Sequence, residues 1–294
     1  GELGSIPTQE RRSRLMHLHR ELLRQILDEE TLRHLLDDQV VEDIEARLQR
    51  RGDRRARTPN ELARVLLDLG DLVVEPDSEI SLRDRVALTD RDAGGVPGGV
   101  KFDDDVERAT ADELLDRLIS ERRAVLVAIP TAETHSARWI ATENYPLYRA
   151  AFRSLRRLDD EDHKLLDLLR ARGSATLTEL SALDDVPLDL MPRLERLVRS
   201  YDAVRGVRDW RPAYAAADAW IPPHIHDRTM SRQAARLALV RKFARWRGPF
   251  TKYEVMERYG LPAGWVEEAL ETLTEEGYLV KGEYVATKSF PQWC

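Results

Sequence analysis

The sequence predicts a mainly α protein with small β-hairpins: a helical lead-in followed by serial units that share one local order. Three observations predict it. Apolar residues recur at helical spacing, as in Leu15, Leu18, Leu22, Leu23 and Ile26. A threonine followed three residues later by glutamate can cap a helix start reciprocally, and the pattern occurs at Thr110/Glu113, Thr176/Glu179 and Thr251/Glu254. The longer helices expected with these caps begin near residues 111, 188 and 263, about 75 residues apart.

Residues 1–9 read as a loose lead-in, and helical periodicity starts near Arg11. A second helical stretch, Glu30 to Arg50, carries Leu32, Leu35, Leu36, Val40, Ile44 and Leu48. The basic segment Arg50 to Arg57, with Gly52 inside it, breaks that pattern. It reads as a solvated linker of the kind that contacts phosphates and closes a first segment, 1–57.

The first unit, 58–155, has a helix from Thr110 to Arg123 with Leu114, Leu115 and Leu118 on one side. Strand, loop and strand follow over Ala124–Ile129 and Arg138–Thr142. Gly94-Gly95, Gly98-Gly99 and the acidic run Asp103–Asp105 mark residues 87–105 as a mobile loop inside it.

The second unit, 156–227, opens a short helix at Thr176. Its longer helix carries Leu190, Leu194, Leu197 and Val198, followed by the strand-like Ala203–Val207. In the third, 228–294, Gly260 closes the short helix and Gly277 caps the helix of Val266, Leu270 and Leu273. The segment Leu279–Val285 is expected to turn at Lys281-Gly282. Short helix, longer helix and hairpin are the order of a winged helix-turn-helix.

Composition narrows the function. The 294 residues are 42% hydrophobic and 34% charged, with a formal net charge of −7. A negative chain is no whole-surface binder of nucleic acid, so any such contact must come from local basic patches. The single cysteine, Cys294, excludes internal disulfides and cysteine-based zinc sites. The longest strongly apolar run, Ala124–Pro130, is too short to span a bilayer, and the first 30 residues lack the apolar core of a signal peptide. These features predict a soluble, mostly helical protein of a reducing compartment with no membrane partner; a role on nucleic acid would place it in the cytoplasm, associated with the nucleoid.

Catalytic motifs are weak. The stretch Gly94–Gly99 resembles a phosphate-binding loop, but Val100 stands where the lysine is needed, so a flexible loop is the better account and no ATP site is expected. His17 with His19, and His224 with His226, lack further ligands to complete a metal set. No metal site is expected, and Pro222-Pro223 suits an ordinary turn. The carboxylates of Asp159, Asp160, Glu161 and Asp162 precede a helix, where they complement its dipole more simply than they perform acid–base work. No catalytic residue or bound cofactor is assigned to the chain.

The binding signal is stronger. From Arg228 to Tyr253 there is no acidic residue, and a helix there would bury Leu239, Phe243 and Trp246. Arg241, Lys242 and Arg245 then lie on the far side, with Arg247 and Lys252 just beyond. That geometry suits phosphate contacts; a solvated face or a match for an acidic neighbour explains it equally well. Trp246 reads as core rather than as a platform for bases. Arg193, Arg196 and Arg199, at i, i+3 and i+6, make a second basic edge. The corresponding helix of the third unit carries Glu267, Glu268, Glu271, Glu275 and Glu276, which would repel phosphate and keep it out of a groove.

Several strings together resemble one family, the large helicase-related (Lhr) group of superfamily 2 helicases. They are Leu66-Leu67-Asp68-Leu69-Gly70-Asp71-Leu72, Arg138-Trp139-Ile140-Ala141-Thr142-Glu143, Gly248-Pro249-Phe250-Thr251 and Gln292-Trp293-Cys294, with the stretch Leu32–Gln49 upstream. The resemblance implies the start of a carboxy-terminal extension of serial winged-helix modules behind an ATP-dependent, 3′-to-5′ motor linked to DNA repair in bacteria. ATP and Mg would belong to that motor, whose motifs are absent here. The implied partners are single-stranded DNA or an RNA–DNA hybrid and the helicase core in cis. Two other readings stand beside this one: an assembly module that self-associates or positions the motor, motivated by the acidic third unit, and a DNA glycosylase-like activity, which the family's carboxy-terminal regions suggest.

Overall fold

A computed structural model describes residues 38–73, 111–131, 135–154, 157–184, 186–208, 211–285 and 290–294. The lead-in helix, His17, His19, Thr110 and the 87–105 loop lie outside the described residues. The described part is mainly helical, with small antiparallel sheets.

Local chemistry sets where the helices start. After α1 (Asp38–Leu48), a short 3-10 turn at Gly52–Arg54 leads to α2 (Pro59–Leu69). There the Thr58 side chain accepts from the Glu61 amide at 3.2 Å while Glu61 accepts from the Thr58 amide. Helix α3 (Ala111–Ser120) runs into β1 (Ala124–Pro130) and β2 (His135–Ala141), and α4 (Tyr145–Phe152) follows. Helix α5 (Asp160–Arg172) is capped by Asp159, which accepts from the Asp162 amide at 2.8 Å, so the acidic run does serve the helix start.

Next come β3 (Ala175–Thr176), α6 (Leu177–Ser181), α7 (Leu190–Arg199), β4 (Ala203–Arg208) and β5 (Arg211–Ala216). Short helices α8 (Ala217–Trp220) and α9 (Pro223–His226) lead to α10 (Arg232–Arg245). The chain closes with β6 (Phe250–Thr251), α11 (Lys252–Tyr259), α12 (Ala263–Glu275), β7 (Lys281–Gly282) and β8 (Gln292–Trp293).

The repeat is deeper than helix order. In the segment from α5 to β5, a helix, a two-residue strand, two helices and a hairpin follow one another, and the two-residue strand pairs with the hairpin's second strand. The segment from α10 to β8 does the same, with β6 on β8. In both, the strand's last residue is a threonine, Thr176 or Thr251, which also starts the next helix with its glutamate. The first segment repeats the pairing through one bridge, Leu72 to Trp139. An apolar residue thus faces an aromatic one each time: Leu72 with Trp139, Ala175 with Tyr214, Phe250 with Trp293.

The first two segments share one sheet, ordered β2-β1-β4-β5-β3, because β1 meets β4 at Leu126 and Arg205. Two hairpins stand back to back, and the Leu72 bridge flanks one side as β3 flanks the other. The third segment attaches through α10, which packs along α4. One core runs through all of this, joining Ile129, Tyr145, Tyr148, Val204, Leu239, Phe243, Leu270 and Trp293.

One sequence expectation is corrected. Lys281-Gly282 is not a turn but strand β7, registered against Trp293 and Gln292. Residues 211–216 form β5 and complete the second unit's hairpin with β4.

A buried ionic node fastens the first and third segments. Asp71 is fully buried and accepts from Arg138 Nη1 at 2.6 Å, Tyr148 Oη at 2.8 Å and Tyr259 Oη at 3.2 Å. Arg258 lies 3.3 Å from the carboxylate and also donates to the Asp71 carbonyl at 2.7 Å. Burial alone would raise this carboxyl; the guanidinium groups of Arg258 and Arg138 outweigh it and hold Asp71 at about 2. Gly70 precedes it at φ 97°, and a Cβ there would sit 2.6 Å from the Tyr148 hydroxyl oxygen. Only glycine fits that approach.

Candidate nucleic-acid interface

The end of α10 and the basic linker, far apart in sequence, come together. Gln49 donates through Nε2 to the Trp246 carbonyl, a contact between residues 197 apart in the chain. Arg50 pairs with Asp68 at 2.9 Å and lies over the Trp246 ring at 5.4 Å, while Arg245 lies over the same ring at 5.5 Å. Trp246 is a half-buried slab that packs against the core holding Leu66 and Trp139 and has two guanidinium groups beside its ring.

Around this slab lies a cleft of about 530 Å3 whose charged lining is Arg50, Arg64, Asp68, Arg241, Lys242 and Arg245. A second hollow, about 390 Å3, shares Arg50 and Arg64 and continues past Arg54, Arg55 and Arg57, with Asp53 and Glu61 also in its wall. Together they make a basic strip on the surface of a net negative chain. Among the described residues, exposed Arg245 has no ion-pair partner, and Arg54 has none either.

The strip is not uniformly open. Arg241 is paired with Glu276 and lies 5.9 Å from the Tyr278 ring centroid. Lys242 donates to the Leu67 carbonyl, and burial lowers its pKa against the partial support of Asp68 and Asp71. Arg247, 9% exposed, sits over the Phe243 ring at 4.9 Å and 3.9 Å from Glu254. Lys252 pairs with Glu267 at 3.1 Å. Glu267 on α12 and Glu276 at its C-terminal cap thus neutralise two of these cations.

The second basic edge is held otherwise. Arg193, 14% exposed, reaches Asp159 and Asp189 at 2.7 Å and Asp162 at 2.9 Å. Hydrogen bonds donated to these acids, Asp159 first, raise its pKa. Arg196 adds longer contacts to Asp162 and Asp189, at 3.8 and 3.9 Å, and Arg199 pairs with Glu195 at 3.3 Å. Arg193 pins α7 to the capped start of α5, so a phosphate arriving there would have to displace three carboxylates. No residue of this edge lines the strip. His226 of the second histidine pair stacks on Tyr145 and directs Nδ1 to Asp227 at 3.2 Å.

Reasoning from sequence missed Arg64, Asp68 and the node partners Asp71 and Arg258. A signal existed for Asp71: an acid set between Gly70 and Leu72 in an apolar string needs a buried cation. The strings that carry the family resemblance hold structure. Leu66, Leu69 and Leu72 are core, Asp71 meets Arg138, Trp139 bridges to Leu72, and Gln292 accepts from the Val285 amide at 3.0 Å.

Comparison with known proteins bears on both the fold and the resemblance. The family described as DNA glycosylase AlkZ-like matches residues 101–285, more than half of the chain. The chain belongs to the AlkZ-like family. Residues 34–154 also match the winged-helix domain of the large helicase-related proteins. A relative in Mycolicibacterium smegmatis, named Lhr helicase/probable uracil glycosylase, is 38% identical over 56 residues. That match covers 19% of this chain and 4% of the relative, so the chain spans only a small part of that protein. Among solved structures, the DNA glycosylase AlkZ of Streptomyces sahachiroi superposes with a TM-score of 0.55 at 10% identity, covering 86% of this chain and 68% of that one. At that identity the likeness is one of fold. The AlkZ-like match runs from residue 101 into the third segment, and the Lhr match takes in the basic linker and the node residues Asp71 and Arg138. No helix among the described residues is long and apolar enough to cross a membrane.

Proposed function

We propose that this chain is the winged-helix, nucleic-acid-gripping region of an Lhr-type helicase, which holds a single strand or the edge of a junction along the basic strip. Each repeated segment is read as a winged helix, with the β-hairpin as its wing. The carrying observation is the convergence of the Arg50–Arg57 linker with the α10 cations into adjoining hollows that share Arg50 and Arg64. Helical proteins scatter arginines over their surface; a strip assembled from remote segments around an arginine-flanked tryptophan suits a phosphate backbone with a base beside it. Arg193 and Arg196 are left out of this grip, since their carboxylate partners already neutralise them. Single-stranded DNA or an RNA–DNA hybrid is the proposed ligand, and the motor in cis the proposed partner.

A salt titration of strand binding tests it. Affinity should fall with a log–log slope of about −0.7 per neutralised phosphate on a single strand. Arg241→Glu with Arg245→Glu should flatten that slope. A chain that fails to bind any strand at low salt defeats the reading.

A second reading is favoured by the match over residues 101–285: base excision by a DNA glycosylase, for which the name of the Mycolicibacterium relative suggests uracil among the substrates. The two are compatible, since a glycosylase also needs a grip on its strand. Incubation with oligonucleotides carrying uracil or an alkylated base, followed by alkaline cleavage at abasic sites, decides it. Intact oligonucleotides would leave the binding role standing alone.

A further inference from the structure

A cleft of about 690 Å3, separate from the strip, opens between the last turn of α3, the end of α5 and one face of β4–β5. Its size falls in the range of sites for small molecules. The floor is low because Val204 and Gly206 of β4 face the small residues Ala215 and Ala213 of β5 in register. Above it stand Asp116, Trp220 and three arginines: Arg117, Arg122 and Arg172.

These groups are underused by the fold. Among the described residues, exposed Arg172 has no ion-pair partner, and the Arg122 guanidinium makes one long contact, 3.4 Å to the Ala219 carbonyl. Arg117 pairs with Glu121 at 3.2 Å. Asp116, half-buried, has no cation partner among the described residues; burial and then Asp112 raise its pKa.

The backbone marks the same place. Arg122 sits at φ 57° just after α3, a position that helices fill with glycine, as α5 does with Gly173 and α11 with Gly260. Two other non-glycine residues among those described share this conformation after a helix: Arg50, also at φ 57° and also lining a cleft, and Tyr201 at φ 63°, which is core. An L-residue is held there at a cost in strain, and such outliers gather at ligand contacts.

We propose that this cleft takes one unstacked nucleotide, its phosphate on Arg122 and Arg172 and an exocyclic amino group of its base on the Asp116 carboxylate, beside Trp220. The charges balance: with Arg117 paired to Glu121, Arg122 and Arg172 stand against Asp116 and one phosphodiester. An ionised carboxylate only accepts hydrogen bonds, so it favours the amino edge of cytosine over thymine. The proposal rests on the nucleic-acid reading above, but its test does not need the strip.

The experiment titrates dCMP and dTMP into the full chain carrying Arg241→Glu and Arg245→Glu, read by NMR shifts or calorimetry. dCMP should bind saturably, and about tenfold more tightly than dTMP. Asp116→Asn should remove that preference. Arg122→Gly, which the backbone accommodates, and Arg172→Gln should each weaken dCMP several-fold with the unfolding midpoint retained. No saturable binding, equal affinities for the two nucleotides, or indifference to both arginine changes would overturn the proposal. If dCMP binds as expected while the unaltered chain grips no strand, the strip reading fails and the cleft stands.

Discussion

The arginines around Asp71 and those along the strip occupy the same molecule under opposite rules. At the node, Arg138 and Arg258 are nearly inaccessible and saturate one buried carboxylate with the help of two tyrosines. On the strip, Arg245 meets an indole ring and no acid among the described residues, and Arg50 and Arg64 share Asp68. Charge that has been matched internally holds elements together, and charge left over is available to a ligand. The α7 edge belongs with the node in this respect, although in sequence it looks like the strip.

The largest expected effect comes from breaking the node. Asp71→Asn leaves two buried guanidinium groups without their counter-charge and should cost about 3–5 kcal/mol in chemical denaturation. A loss below about 1 kcal/mol would mean the node does not hold the segments together. The same group predicts an acid limb. Its folded pKa of about 2 lies below its ordinary 3.8, so its stabilisation is complete above the unfolded value and lost as pH falls towards and through 2. That limb is worth about 2 kcal/mol, and Asp71→Asn should abolish it.

Next in size is the strip. Reversing Arg54 and Arg245, which have no ion-pair partner among the described residues, to glutamate should weaken single-strand binding by tenfold or more at low salt and reduce the salt slope by about 1.4. The unfolding midpoint should move little. A binding loss that tracks a lost midpoint would place these residues with the node instead.

Arg193→Met inverts that pattern. It should lower the thermal midpoint by a few degrees while strand affinity stays within about twofold. A binding loss without a change in stability would return the α7 edge to the interface.

The smallest effect sharpens the strain argument. Arg50→Gly and Arg50→Ala both delete the guanidinium, but glycine accepts φ 57° freely. The glycine variant should be the more stable by about 1 kcal/mol. Equal stabilities would show that the left-handed position carries no cost.

Much of the fold was legible because it is written in local chemistry. Thr176 with Glu179 and Thr251 with Glu254 cap helices as their spacing says, and Gly260 and Gly277 end them at φ 56° and 71°. Thr58 with Glu61 was equally readable and was passed over. Strand β5 was not, because its residues acquire their role from β4 alongside. On the interface, the acid-free α10 pointed to Arg245, and the linker to Arg50. Nothing local said that the two would meet at Trp246, or that Arg193 would be surrounded by Asp159, Asp162 and Asp189.

By itself the sequence determined a mainly α chain of repeated helix-and-hairpin segments, negative overall with cations concentrated in a few stretches. Caps, periodicity and composition act within a few residues, so they can be read without coordinates. Tertiary structure alone decided which cations remain available, because pairing depends on acids brought in from remote segments at distances of about 3 Å. It also decided that two hairpins join into one sheet and that Asp71 is enclosed, since burial belongs to the packed whole.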